Sequence, residues 1–201
     1  MNPLNNHRQS LILGIALAVL LSLGIGGMHF NQLGLARWFH IVSGVFWIGL
    51  LYYFNVAQTP AMADAAADKG GPGGAGINKY VAPRALFWFR WAAVATWFGG
   101  AWLLGPKFVP AFTLGAGLDD PTHYYLTIGI GAWLGTIMLL NVWGVIWRMQ
   151  KKILGIVPAT DEEKAKARRV ALLASRTNFV LSIPMLMCMA SATHGLPFFS
   201  P

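Results

Sequence analysis

From its amino terminus the chain alternates long apolar runs with short stretches that hold nearly all of its charge. Leu11 to Met28 contains no ionisable side chain, and further apolar segments cover 35–54, 85–104, 124–147 and 170–192. Each has the roughly 20 residues that one bilayer crossing requires. The pattern predicts an all-α integral membrane protein, a bundle of about five transmembrane helices forming a single membrane domain over 1–201. The first run follows Arg8 as a secretory h-region would, but it is longer than one and no A-x-A site follows, which favours a retained helix.

The connections are equally legible. Residues 64–83 contain GGPGGAG and predict a flexible glycine-rich cytoplasmic loop, without the GxxxxGK[ST] order of a phosphate cradle. Thr160 and Glu163 form a capping-box pattern ahead of EEKAKARR, so the last helix is expected to begin in water before entering the membrane, with a kink at Pro184. Gly131 and Gly135 make a GxxxG pair, and Gly24, Gly26 and Gly27 give the first helix small residues. Both are read as close packing within the bundle rather than as a dimer motif.

Composition agrees with lipid as the solvent. Hydrophobic residues make up 56% and charged residues 11% of the chain, against about 25% charged in soluble domains. The net charge of +8 is a topology signal rather than a nucleic-acid footprint, because the cations flank apolar segments instead of forming a stripe. With the amino terminus cytoplasmic, the inner side receives Arg8, Lys69, Lys79, Arg84, Arg148, Lys151, Lys152, Lys164, Lys166, Arg168 and Arg169. The outer side receives only Arg37 and Lys107, and the carboxyl terminus lies there too. Cys188 is the single cysteine, which excludes an intrachain disulfide, a thiolate zinc cage and a CxxCH haem attachment.

Intramembrane ionisable residues are costly and tend to mark function. All seven acidic residues fall in the predicted loops, so a carboxylate relay has no members. Histidines behave differently, since His29, His40, His123 and His194 all fall toward the outer face under this topology. His40 shares a helical face with Ser43, Gly44, Trp47, Leu51 and Asn55, a face expected to point into the bundle. A neutral imidazole in a bundle is a natural axial ligand for a non-covalent haem b, and His40 with His194 is the preferred pair, with His29 and His123 near the haem edge. Trp47 is placed to pack on a macrocycle. Copper or zinc held by converging imidazoles is the alternative occupant. Of the two membrane arginines, Arg90 reads as snorkelling to headgroups, and Arg176, beside Thr177 and Asn178, reads as part of an internal network that could touch a cofactor.

Several stretches resemble the membrane domain of the bacterial membrane-bound urate hydroxylase family, also called the urate oxidase amino-terminal domain. They are HIVSGVFWIGLLYYFN from His40, FWFRWAAVATWFGGAWLL from Phe87, GTIMLLNVWGVIWRMQKK from Gly135 and SRTNFVLSIPMLMCMASATHG from Ser175. Ser175, Arg176, Asn178 and His194 match the family's final motif, while Thr177 stands where the family has histidine. The resemblance implies an inner-membrane redox protein, with urate as one possible electron donor. In the family the membrane domain is usually followed by a cytochrome c domain; with no CxxCH here, that module is expected to be absent or carried on another polypeptide. The competing expectation is a non-catalytic accessory subunit of a larger respiratory or oxygenase complex.

Overall fold

The computed structural model describes residues 2–27 and 29–198. Their regular structure is all helical, with no strand among the described residues. The chain falls into two units, Met1–Leu35 and Ala36–Pro201.

In the first unit, the Asn6 carboxamide accepts from the Arg8 amide and starts α1, His7–Gly26, where Gly27 at a φ of 74° ends it. None of the residues of α1 is buried. The run expected over 11–28 is therefore a helix that starts a turn earlier, and Met28 lies outside the described residues.

The second unit packs four long helices. Helix α2 is continuous over Gln32–Ala67, α5 over Tyr124–Ile153 and α6 over Asp161–Ser191; between them come α3, Ala82–Leu104, and the short α4, Phe108–Phe112. Helices α1, α2, α5 and α6 are the four long and apolar enough to cross a membrane. Helix α3 has 23 residues, about 35 Å at the α-helical rise, but Arg84, Arg90 and its tryptophans lower its hydropathy. It fits a crossing by length rather than by apolarity.

Side-chain pairings fix the helix directions. Phe54 meets Phe89 while His40 meets Thr96, so α2 and α3 are antiparallel. Trp97 bonds Thr136 and Trp143 bonds the Arg90 carbonyl, which sets α5 antiparallel to α3. Asn141 bonds the Ala174 carbonyl while Gly131 lies against Cys188, so α6 reverses again. Trp47, Leu51, Phe89, Ala92, Ala93, Met138, Val142, Ile146 and Met185 form the common core. A Cβ on Gly131 would sit 3.1 Å from that of Cys188, so this glycine lets α5 and α6 approach; Gly135, its expected partner, has no such neighbour within 4 Å.

Two boundaries differ from expectation. The loop expected over 64–83 is helical at both ends, because Ala61 to Ala67 is an alanine-rich extension of α2 and Pro83 sits in the first turn of α3. The helices expected over 35–54 and 124–147 each run on through a π-helical segment, Tyr53–Gln58 and Val142–Ile146. The start of α6 matches expectation. Thr160 Oγ1 accepts from the Glu163 amide, Glu163 returns a bond to the Thr160 amide, and Lys152 Nζ lies 3.3 Å from Glu163 Oε1. Asp120 starts α5 from a distance, accepting the amides of Tyr124 and Tyr125 at 3.0 and 2.7 Å. Partial desolvation opposes its charge, but these donors and the Thr122 hydroxyl outweigh it and hold the carboxyl below its ordinary 3.8.

Candidate functional site

His40 is the most constrained of the candidate residues. The half-buried ring sits where α3 presents Gly99 and Gly100: a Cβ on Gly100 would lie 2.9 Å from His40 Cε1, and one on Gly99 would lie 3.2 Å from His40 Cα. Larger residues would drive the helices apart. In this gap His40 Nδ1 lies 2.8 Å from the Thr96 carbonyl oxygen. A carbonyl only accepts, so the proton is on Nδ1 and the Nε2 lone pair stays free. That is the second-shell arrangement that orients a metal-ligating imidazole.

Below His40, the face singled out in the sequence is the inward face. Ser43, Trp47, Leu51 and Asn55 are all buried. Trp47 is 2% exposed, yet its Nε1–H has no acceptor among the described residues. An orphaned buried donor is uncommon, and it lies two turns from His40 on the same face of α2. The donor chemistry thus fits a non-covalently held haem on the His40 side.

The other histidines are more open. His194 is exposed in the turn after α6, its Nδ1 lying 3.1 Å from both the Ala190 carbonyl and the Thr193 hydroxyl. Tyr52 and Ser182 place their hydroxyls 3.2 Å apart, and His40 lies as many residues before Tyr52 as His194 lies beyond Ser182. Because α2 and α6 are antiparallel here, both histidines sit toward the same end, each about 18 Å from that pair by helical rise. His123 precedes α5 at that end too, exposed and left-handed at a φ of 53°. The three share an end without converging, since no three His, Cys, Asp or Glu side chains form a metal-sized group among the described residues. In the first unit, His29 lines a shallow hollow with Asn31 and Gln32.

Reasoning from the sequence turned Arg176 inward, and the structure does not. Arg176 is exposed and joins no hydrogen bond of the interior, whereas Arg90 is half-buried with its guanidinium carbon 3.6 Å from the Trp147 ring centroid. The internal network expected around Arg176 is built from its neighbours. Asn178 is fully buried, accepts from Asn141 at 2.8 Å and donates to the Met138 carbonyl at 3.0 Å. Asn55 donates to Ser175 at 2.9 Å and to the Leu51 carbonyl at 2.8 Å, leaving its own Oδ1 without a donor. Asparagines inside apolar runs were the available signal, and only their helix partners required the fold.

Residues 122–201 match the family model described as urate oxidase N-terminal. Over these residues the chain is similar to that family; the matched stretch holds His123, Arg176 and His194, but not His40. No curated protein and no solved structure matches the chain.

Proposed function

We propose, starting from that family similarity, that this protein is a haem b-binding redox protein of the bacterial inner membrane, related to the membrane urate hydroxylases. In this reading it crosses the bilayer five times, with its amino terminus cytoplasmic and its carboxyl terminus outside, as the cation asymmetry favours. His40 and His194 would hold the iron from the end of the bundle they share, and Trp47 would offer a hydrogen-bond donor toward the bound group. When present, the haem supplies one-electron chemistry; the chain's own part is to fix the imidazole, exclude water and set the local polarity. The observation that carries this reading is the His40 Nδ1 bond to the Thr96 carbonyl, which leaves Nε2 as a free ligand.

The test is an absorption spectrum, oxidised and dithionite-reduced, of detergent-purified protein expressed with ample haem. A b-type spectrum in the wild type, lost in His40→Ala and His194→Ala, is expected; a wild type without a Soret band refutes the reading. Urate and quinols are then screened as electron donors. A second reading, an accessory subunit of a larger respiratory or oxygenase complex, is favoured by the confinement of all seven acidic residues to 64–68, 119–120 and 161–163, which leaves the apolar runs without a carboxylate. Pigment-free protein that co-purifies with such a complex from native membranes would select it, and stoichiometric copper or zinc without pigment would select the metal alternative.

A further inference from the structure

Arg90 lies inside α3, about 9 Å along the helix from Arg84 at the cation-rich end. Its guanidinium carbon is 3.6 Å from the ring centroid of Trp147, with Phe87 at 5.6 Å and Trp143 at 5.9 Å. Stacking at that distance covers one flat face of the ion and leaves its N–H edges free. None of those N–H groups donates to a protein acceptor among the described residues, and Arg90 forms no ion pair there. The side chain instead receives its order from aromatic plates alone.

Charge balance must come from outside the chain. None of the seven acidic residues lies in α3 or in Val142–Ile153; Glu163 of α6 reaches the end of α5 but is taken up by Lys152 at 3.3 Å, and no carboxylate pairs with Arg90 among the described residues. The neighbouring charges along these two helices are further cations, Arg84, Arg148, Lys151 and Lys152. A guanidinium held flat, with its fork unpaired in a low-dielectric setting, is matched by a bidentate oxyanion. Beside it Phe87 and Trp91 are each nearly half exposed, at 47% and 48%, an apolar surface that acyl chains would cover and a small soluble anion would not.

We propose that Arg90 and Trp147 form a binding site for the phosphate of an anionic phospholipid in the leaflet on the cation-rich side, with its acyl chains along Phe87 and Trp91. Trp147 orients the guanidinium, Arg90 provides the two-point contact, and the cations at the rim favour a headgroup with net negative charge over a zwitterionic one.

The experiment is native mass spectrometry of the full chain released from bilayers of equal phosphatidylglycerol and phosphatidylethanolamine, counting lipid that survives detergent stripping. Wild type is expected to retain phosphatidylglycerol preferentially, and Arg90→Gln to lower that retention about tenfold, the scale of one charge-assisted bidentate contact. Arg84→Gln, at the rim, should leave most of it. Arg90→Lys keeps the charge but loses the fork and the stacking, and should fall several-fold with unchanged helicity and elution; it serves if Arg90→Gln fails to fold. Retention in Arg90→Gln or Arg90→Lys equal to wild type overturns the site. So does equal retention of phosphatidylethanolamine, or displacement of the lipid by excess inorganic phosphate, which would mark a free-anion site.

Discussion

Gly100→Ala puts a methyl group against the imidazole on which the proposed haem site depends. The new Cβ would lie 2.9 Å from His40 Cε1 and 3.1 Å from Nδ1, where ordinary carbon contacts fall at about 3.5–4.0 Å. The ring must yield by roughly 0.7 Å, and the helix backbone on the other side of the contact cannot give easily. Such a displacement stretches the 2.8 Å bond from Nδ1 to Thr96 to the edge of hydrogen-bonding range. A membrane hydrogen bond contributes about 0.6 kcal/mol, up to about 1.7, and overpacking adds about 1–3 kcal/mol. Against this, alanine gains up to about 1 kcal/mol over glycine in a helix interior. The net expectation is a loss of about 1–3 kcal/mol.

Gly49→Ala on α2 is the control, because a Cβ there meets nothing within 4 Å; it should be neutral or stabilising by up to about 1 kcal/mol. Reversible unfolding in mixed micelles, followed by tryptophan fluorescence, measures both. Gly100→Ala as stable as Gly49→Ala would refute the geometry assigned to His40. In pigmented protein the same substitution should also shift the spectrum, whereas Gly49→Ala should not.

Two further outcomes follow from polar contacts. Asn178→Leu removes a fully buried carboxamide from its two partners, leaves one N–H of Asn141 without its acceptor and should cost about 1–3 kcal/mol by the same unfolding assay; adding Asn141→Leu should recover part of the loss, and strictly additive losses would refute the coupling. Asp120 has a folded pKa below its ordinary 3.8, so its contribution is complete above that value and is lost as pH falls through the depressed one. Thermal midpoints of wild type and Asp120→Asn should therefore differ at neutral pH and converge in acid, and a constant gap across the titration would refute the assignment.

What the sequence disclosed depends on whether the signal was local. Apolar runs placed every long helix, and the Thr160 capping box placed the start of α6, because both are written in neighbouring residues. Helix ends over 64–83 were misjudged since a glycine-rich centre outweighed the alanines of 61–67. The π segments leave no mark, as Tyr53 to Gln58 reads like any helical stretch. His40 stood out as the histidine within its apolar helix, but its partner is a main-chain carbonyl at Thr96, and a carbonyl has no sequence signature. Arg176 was turned inward for a related reason. Position along a helix gives depth, whereas which way a residue faces is settled by packing: Arg176 and Asn178 are about 200° apart around the axis, which puts one outside and the other in the core.

The lone cysteine gives the protein a built-in gauge of its own breathing. Cys188 is 5% exposed and its Cβ is the atom that Gly131 makes room for, across the closest approach of α5 and α6. A membrane-permeant thiol reagent can reach it only while those helices part. Its modification rate, divided by the rate of a free thiol, is then the equilibrium constant for that opening, read from one native site without any engineered label. Because α5 and α6 also carry Asn141 and Asn178, a ligand or lipid that tightens this seam would be registered as a slower clock.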